Sequence, residues 1–315
     1  MVGRKVGIVG AGHVGATAAY TLTMTGNCHE VILYDIDSAI AKGKAIDIGQ
    51  STSYSPRGTI VSAAEDASGL KDCDVVVITA GVPRKGNMTR ADLLITNAKI
   101  IKDVVENIMK YSPNAIIICV SNPLDIMTYV IHKMTGWDRR RIVGMAGALD
   151  GARMAYQINK IIGCGSGQIR AMLIGDHGQH MIPMPEISAV GGVPLNQLIS
   201  KEQMQAVIAR TKDGGAEIVK HLGTSAYYAP GRAISIMVEA ILDDSRIIMP
   251  SSVLLDGEYG YKDICVGVPV VLGAKGVENI IELALDEETK AKFETSIHSI
   301  QDGIKILHEN GFLKS

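Results

Sequence analysis

Two hydrophobic periods alternate along the first half of the chain. Short apolar runs at residues 5–9, 30–34, 74–80 and 115–120 read as strands covered on both faces, as expected of a parallel sheet. Between them, residues 16–23 and 39–48 carry apolar side chains at helical spacing, as does the stretch holding Leu94, Ile101, Val104, Val105 and Ile108. Residues 59–62 add one more short strand. Thr89 and Asp92 have the spacing of a capping box, and Pro113 ends the helical pattern that follows. Strands alternating with helices predict a doubly wound parallel sheet of the α/β class.

The pattern changes near Met145. Helices are predicted over 150–162, stopped by Gly163, over 202–221, opened by a Ser200/Gln203 capping box, and over 233–242. A strand is predicted over 169–174. Shorter strands at 252–255, 264–268, 270–272 and 277–283, with turns at Asp256-Gly257 and at 273–276, predict an antiparallel sheet. The final helix, 287–309, aligns Phe293, Ile297, Ile300, Ile304 and Leu307 in one stripe, which reads first as packing and second as a partner surface. Two domains follow: a doubly wound domain over 1–144 and an α+β domain over 145–315, with no visible linker.

Composition narrows the function classes. Lys and Arg number 31 against 33 acidic residues, so nothing favours nucleic acid or an anionic membrane. The longest apolar candidate for a membrane span, 115–130, is interrupted by Ser121-Asn122-Pro123 and Asp125. Arg4 and Lys5 followed by apolar residues imitate a secretory signal, but three spaced glycines and His13 break that apolar core. The five cysteines are scattered and odd in number with no CxxC, which suits buried thiols in a reducing compartment and points to the cytoplasm. His177 and His180 form an HxxH pair without a second ligand cluster, so no metal is expected.

The densest chemistry lies at the start. Gly10-Ala11-Gly12-His13-Val14-Gly15 stands between a strand and a helix, as in a Rossmann fold. There the first glycine allows the tight turn, the second admits a pyrophosphate, and the third lets helix and strand approach. The helix N-terminus offers free N–H groups to the phosphates. Asp35, 20 residues after Gly15, is placed to meet ribose hydroxyls, and Ile36-Asp37-Ser38 brings no cation for a 2′-phosphate. NAD is therefore expected rather than NADP. Ligands in such sheets lie beyond the carboxyl ends of the strands, where the glycine turn, the loop from Arg84 to Arg90, and Asn122 converge. His177, in a Gly-Asp-His-Gly turn, reads both as a satisfied structural histidine and as a functional one. Arg84 and Arg90 read as solvated cations or as anion contacts, and Arg153 as a clamp or as the ion-pair partner of Asp150. The residues alone name no reaction.

The motifs taken together resemble the lactate/malate dehydrogenase family over nearly the whole chain. They are GAGHVG at 10–15, Asp35, ITAGVPRKGNMTRADLL at 78–94, Asn97, VSNP at 120–123, Asp150 with Arg153, GDHG at 175–178, GEYG at 257–260 and VGVPVVLG at 266–273. The resemblance implies that His177 is the proton donor and acceptor, held by Asp150. It also implies that Arg153 clamps the substrate C1 carboxylate and that Arg90 polarises the ketone on loop closure. Asn122 would touch nicotinamide and substrate, with Asn97 and the Val120 main chain on NAD. A homo-oligomer is implied as well, a tetramer before a dimer. Arg84 stands where lactate enzymes of the family carry an uncharged Gln, which implies the malate side. A desolvated Arg84 left unpaired by pyruvate would cost about 3 to 5 kcal/mol, whereas the second carboxylate of oxaloacetate pairs with it. The sequence departs from the family at Gly86-Asn87 in the loop and at Gln179-His180 after the histidine. Two rivals remain at this level: another 2-hydroxy-acid dehydrogenase, and an NAD-binding protein without catalysis.

Overall fold

The computed structural model describes residues 4–54, 58–83 and 88–313. Its first half runs β1 (Lys5–Val9), α1 (His13–Thr25), β2 (Glu30–Tyr34), α2 (Ser38–Ser51), β3 (Ile60–Ala64), β4 (Val75–Ile78), α3 (Arg90–Tyr111), β5 (Ile116–Cys119), α4 (Leu124–Thr135) and β6 (Ile142–Gly144). Then follow α5 (Ala146–Ile162), the short strands β7 (Ile169–Arg170), β8 (Leu173–Ile174), β9 (Ile182–Pro183), β10 (Ala189–Val190) and β11 (Val193–Pro194), and α6 (Lys201–Leu222). The chain closes with α7 (Tyr228–Leu242), β12 (Ile247–Asp256), β13 (Lys262–Gly273), β14 (Gly276–Ile280) and α8 (Glu287–Glu309).

The first six strands lie parallel in the order β3-β2-β1-β4-β5-β6. This is the doubly wound order, and the strand sequence reverses between β1 and β4, where a ligand crevice opens. Every residue of β4 and β5 is buried, which is why neither shows an alternating polar face.

The antiparallel strands β12, β13 and β14 do not stand apart. They continue the same sheet to nine strands, with β12 joined to β6 by the pair Ser252↔Gly144. Gly144 makes the junction possible, because a Cβ there would stand 2.8 Å from Cβ of Ser252 and 2.7 Å from Oγ1 of Thr128.

Other segments also differ from the sequence reading. Residues 169–174 form two strands, β7 pairing with β10 and β8 with β9. The pieces at 264–268 and 270–272 fuse into β13, because Pro269 faces Pro250 and its carbonyl accepts from Ile281, just past the end of β14. A proline in that position removes no bond from the β12–β13 ladder. Finally, α4, β6 and the short strands β9, β10 and β11 answer to no element read from the sequence.

The stripe on α8 is buried, and α8 packs on α3, α4 and β13. That packing uses the apolar stripe within the chain, the first of the two roles read from the sequence. Among the described residues, no helix is long and apolar enough to cross a membrane.

Candidate active site

The glycine turn is built by three close approaches. Gly10 has φ +103°, and a Cβ on it would stand 2.6 Å from Thr79 Oγ1. Thr79 Oγ1 donates to the carbonyl of Gly10 at 2.9 Å. A Cβ on Gly15 would meet that same carbonyl oxygen at 1.9 Å, so only glycine lets α1 start so near β1. Gly12 differs, because a Cβ there meets nothing within 4 Å. Its side is open, and it caps α1 without a side chain or an acidic first turn. The first N–H of the helix with a main-chain acceptor is that of Ala16. The helix N–H groups ahead of it have no intrahelical acceptor, which suits a pyrophosphate.

Asp35 braces this turn from the end of β2. One carboxylate oxygen accepts the N–H of Ala11 at 2.6 Å and the other that of Asp37 at 3.0 Å. Ala11 and Gly15 are buried, Val14 is half-buried, and His13 is exposed. The His13 ring stacks on Tyr227 with centroids 5.0 Å apart. Beside it, α7 lies close on α1, since a Cβ on Gly231 would stand 2.6 Å from Thr17. These features fit a dinucleotide with free ribose hydroxyls.

Asn97, on α3, reaches across to Asn122, just past the end of β5. Asn97 is buried, and its Oδ1 accepts the N–H of Val82 at 2.9 Å. Its Nδ2 donates to the carbonyl of Val82 at 3.3 Å and to that of Asn122 at 2.8 Å. The side chain thus ties the segment after β4 to the segment after β5. Asn122 is exposed, and the Val120 N–H is engaged by Ile78 at 2.9 Å.

Across the crevice, β8 delivers Gly175-Asp176-His177. His177 Nδ1 lies 2.7 Å from Oδ2 of Asp150. A carboxylate only accepts, so Nδ1 carries the hydrogen and Nε2 is left for chemistry. Oδ1 of Asp150 accepts from Nη1 of Arg153 at 2.8 Å, one helical turn away. Asp150 is 2% exposed. Burial alone would drive His177 down, but the charge and hydrogen bond of Asp150 prevail and its affinity for a proton is raised. Burial likewise raises Asp176.

Arg153 Nε is buried without a partner among the described residues. The guanidinium passes along α6 beside Gly215, where a Cβ would stand 3.3 Å from Nη2. Two adjacent glycines inside a long helix disfavour it by roughly 1 kcal/mol each, and here they leave room for the arginine. Arg90 opens α3, is exposed and has no partner among the described residues; it borders a cleft of about 660 Å³ lined by Leu94, Pro123, Ile126 and His180. Arg84 lies outside the described residues.

Sequence reasoning did not single out Asp125. It lies in the first turn of α4, is 5% exposed, and its Oδ2 accepts the N–H of His177 at 2.8 Å. The available signal was a lone carboxylate inside an apolar stretch. All five cysteines are free. Among the described residues, no three His, Cys, Asp or Glu side chains are placed to hold a metal.

Comparison with known proteins adds to this geometry. The profile of the lactate/malate dehydrogenase NAD binding domain matches residues 4–144, and that of the alpha/beta C-terminal domain matches 147–310. The chain is 54% identical to a malate dehydrogenase of Sulfurimonas denitrificans, over 98% of each chain. It superposes on the malate dehydrogenase of Salinibacter ruber with a TM-score of 0.92 at 41% identity, covering 98% of this chain and 99% of that one. A lactate dehydrogenase of Cryptosporidium parvum also gives 0.92, at 35% identity and the same coverage.

Proposed function

This chain belongs to the lactate/malate dehydrogenase family, and from that premise we propose how its residues divide the work of the reaction. The protein is an NAD-dependent malate dehydrogenase, moving a hydride reversibly between (S)-malate and oxaloacetate. Residues 1–144 would carry the cofactor and 145–315 the substrate. Gly10, Ala11, Gly12, His13, Val14 and Gly15 would hold the pyrophosphate and Asp35 the ribose. Asn97, Val120 and Asn122 would frame the nicotinamide end. When bound, NAD supplies the group that carries the hydride.

Oxaloacetate reduction places negative charge on the C2 oxygen. His177 Nε2 gives that oxygen its proton, and takes one back in malate oxidation. Asp150 fixes the tautomer and stabilises the imidazolium. Arg153 keeps the substrate C1 carboxylate with the donors that Asp150 leaves unused, and Arg90 polarises the C2 ketone. Arg84 pairs with the distal carboxylate.

The observation that carries this reading is the buried Arg153–Asp150–His177 chain at the carboxyl edge of the sheet. Support for the diacid comes from the relatives and from Arg84 in the sequence, since the fold serves both substrates. We further place the protein in the cytoplasm as a homo-oligomer, a tetramer before a dimer. Exposed Tyr20, Met24 and Tyr228, on α1 and α7, give a surface for such assembly.

The deciding measurement compares initial rates on oxaloacetate and pyruvate, with NADH and with NADPH. Faster turnover of oxaloacetate with NADH is expected. Equal rates on the two acids would remove the role given to Arg84.

A further inference from the structure

A second carboxylate reaches His177 from a different helix. Asp125, on α4, accepts the main-chain N–H of His177 at 2.8 Å, whereas Asp150, on α5, holds the ring. No Lys or Arg answers Asp125 among the described residues, and its Oδ1 is buried without a hydrogen-bond partner. Such an arrangement is costly to keep for packing alone, because an apolar residue would fill the same helical position without a buried charge.

We propose that Asp125 is a positioning residue for proton transfer: it fixes the main chain that carries the imidazole and adds a second negative charge supporting the imidazolium. This rests on the reading of His177 as the proton-transfer group. Asp125 stands three residues after Asn122, so the same turn of chain that ends β5 also sets the histidine, and the nicotinamide end and the acid–base group share one anchor.

The surroundings are consistent with that role. His177 is faced by Asp150 and Arg153 from α5, by Asp125 from α4 and by Asp176 from its own turn. Asp125 is faced by His177 and Asp176, by Ser252 on β12, and by the thiols of Cys119 on β5 and Cys265 on β13. Burial pushes Asp125 up to about 6, while the nearby Ser252 hydroxyl and the His177 amide pull the other way. Burial raises both thiols far enough to keep them neutral, Cys119 to about 12. When ionised, Asp125 adds its charge to that of Asp150 in raising His177.

The test is the pH dependence of kcat/KM for oxaloacetate reduction and malate oxidation in the wild type, Asp125→Asn, Asp125→Ala and His177→Asn. Retained NADH binding, followed by fluorescence, identifies folded variants. Asp125→Asn keeps an acceptor for the amide but removes the charge. Its histidine limb should move to lower pH by about half a unit to one unit, in both reaction directions. Asp125→Ala should show the same displacement and lose about tenfold more in kcat, the equivalent of one hydrogen bond. A lowered kcat with an unmoved limb would make Asp125 a structural brace and overturn the proposal, as would full activity with an unmoved limb. Wild-type rates in His177→Asn are a separate result, striking at the reading of His177 itself.

Discussion

The side-chain Nδ2 of Asn97 donates to the carbonyl of Asn122 at 2.8 Å, while its Oδ1 and Nδ2 grip the N–H and carbonyl of Val82. Both polar ends of Asn97 are thus spent on the protein. Removing them in Asn97→Ala loses three hydrogen bonds in a buried setting, about 2 to 4 kcal/mol in total. We expect Tm to fall by about 5–10 °C, with weaker NADH binding as a consequence. An unchanged Tm with lost binding would instead assign Asn97 to the cofactor directly.

Gly12 and Gly15 should separate folding from cofactor binding. Gly15→Ala forces a main-chain shift, because no flexible side chain yields at 1.9 Å from a carbonyl oxygen. It should cost at least about 1 to 3 kcal/mol in stability. Gly12→Ala has open space and φ −63°, so its melting curve should match the wild type while its Kd for NADH rises about tenfold or more. Unchanged affinity in Gly12→Ala would end the argument for close approach at that position.

Asp150→Asn should reduce kcat by about 10²- to 10⁴-fold, the range of general acid–base catalysis, by weakening the hold on the His177 tautomer. It should also alter stability with a definite sign. Although burial opposes it, Asp150 raises His177 above its unfolded value, near 6.5. The stabilisation is fully present below that value and fades as pH rises through the folded one. The Tm gap between wild type and variant should therefore be wider at about pH 6 than at about pH 9, which calorimetry would read.

Arg84→Gln should invert substrate preference. Removing the extra cation is expected to lower activity on oxaloacetate and raise it on pyruvate, changing the ratio of kcat/KM values by roughly 10²- to 10⁴-fold. Steady-state kinetics on both acids decides it, and an unaltered ratio would refute the charge-balance argument.

The legible parts of this protein were those whose local pattern has one structural meaning. The uninterrupted runs of β1, β4 and β5 admit only covered strands, and α8 spans the 287–309 read from its stripe and its flanks. The Thr89 and Ser200 capping boxes are both formed, because each depends on residues three positions apart and nothing distant. By contrast α4 was hidden by its own burial: residues 124–132 are all buried, so no polar face marks the helical period. The joining of β12 to β6 depends on a glycine and a serine more than 100 positions apart. In the site, Asp35 and the glycines carry a spacing signal, whereas the Asp150–His177 contact spans 27 positions and Asp125–His177 spans 52. Family resemblance supplied the first of these pairs, and neither pattern nor resemblance supplied the second.

The seam at Gly144 and Ser252 has a consequence for the life of the chain during synthesis. A nascent protein that has emerged only as far as β6 exposes a raw strand edge until β12, about a hundred residues later, arrives to cover it. The interval is one in which two unfinished copies could zip together through that edge, so dilution or a holding chaperone should matter more for yield than for the finished enzyme.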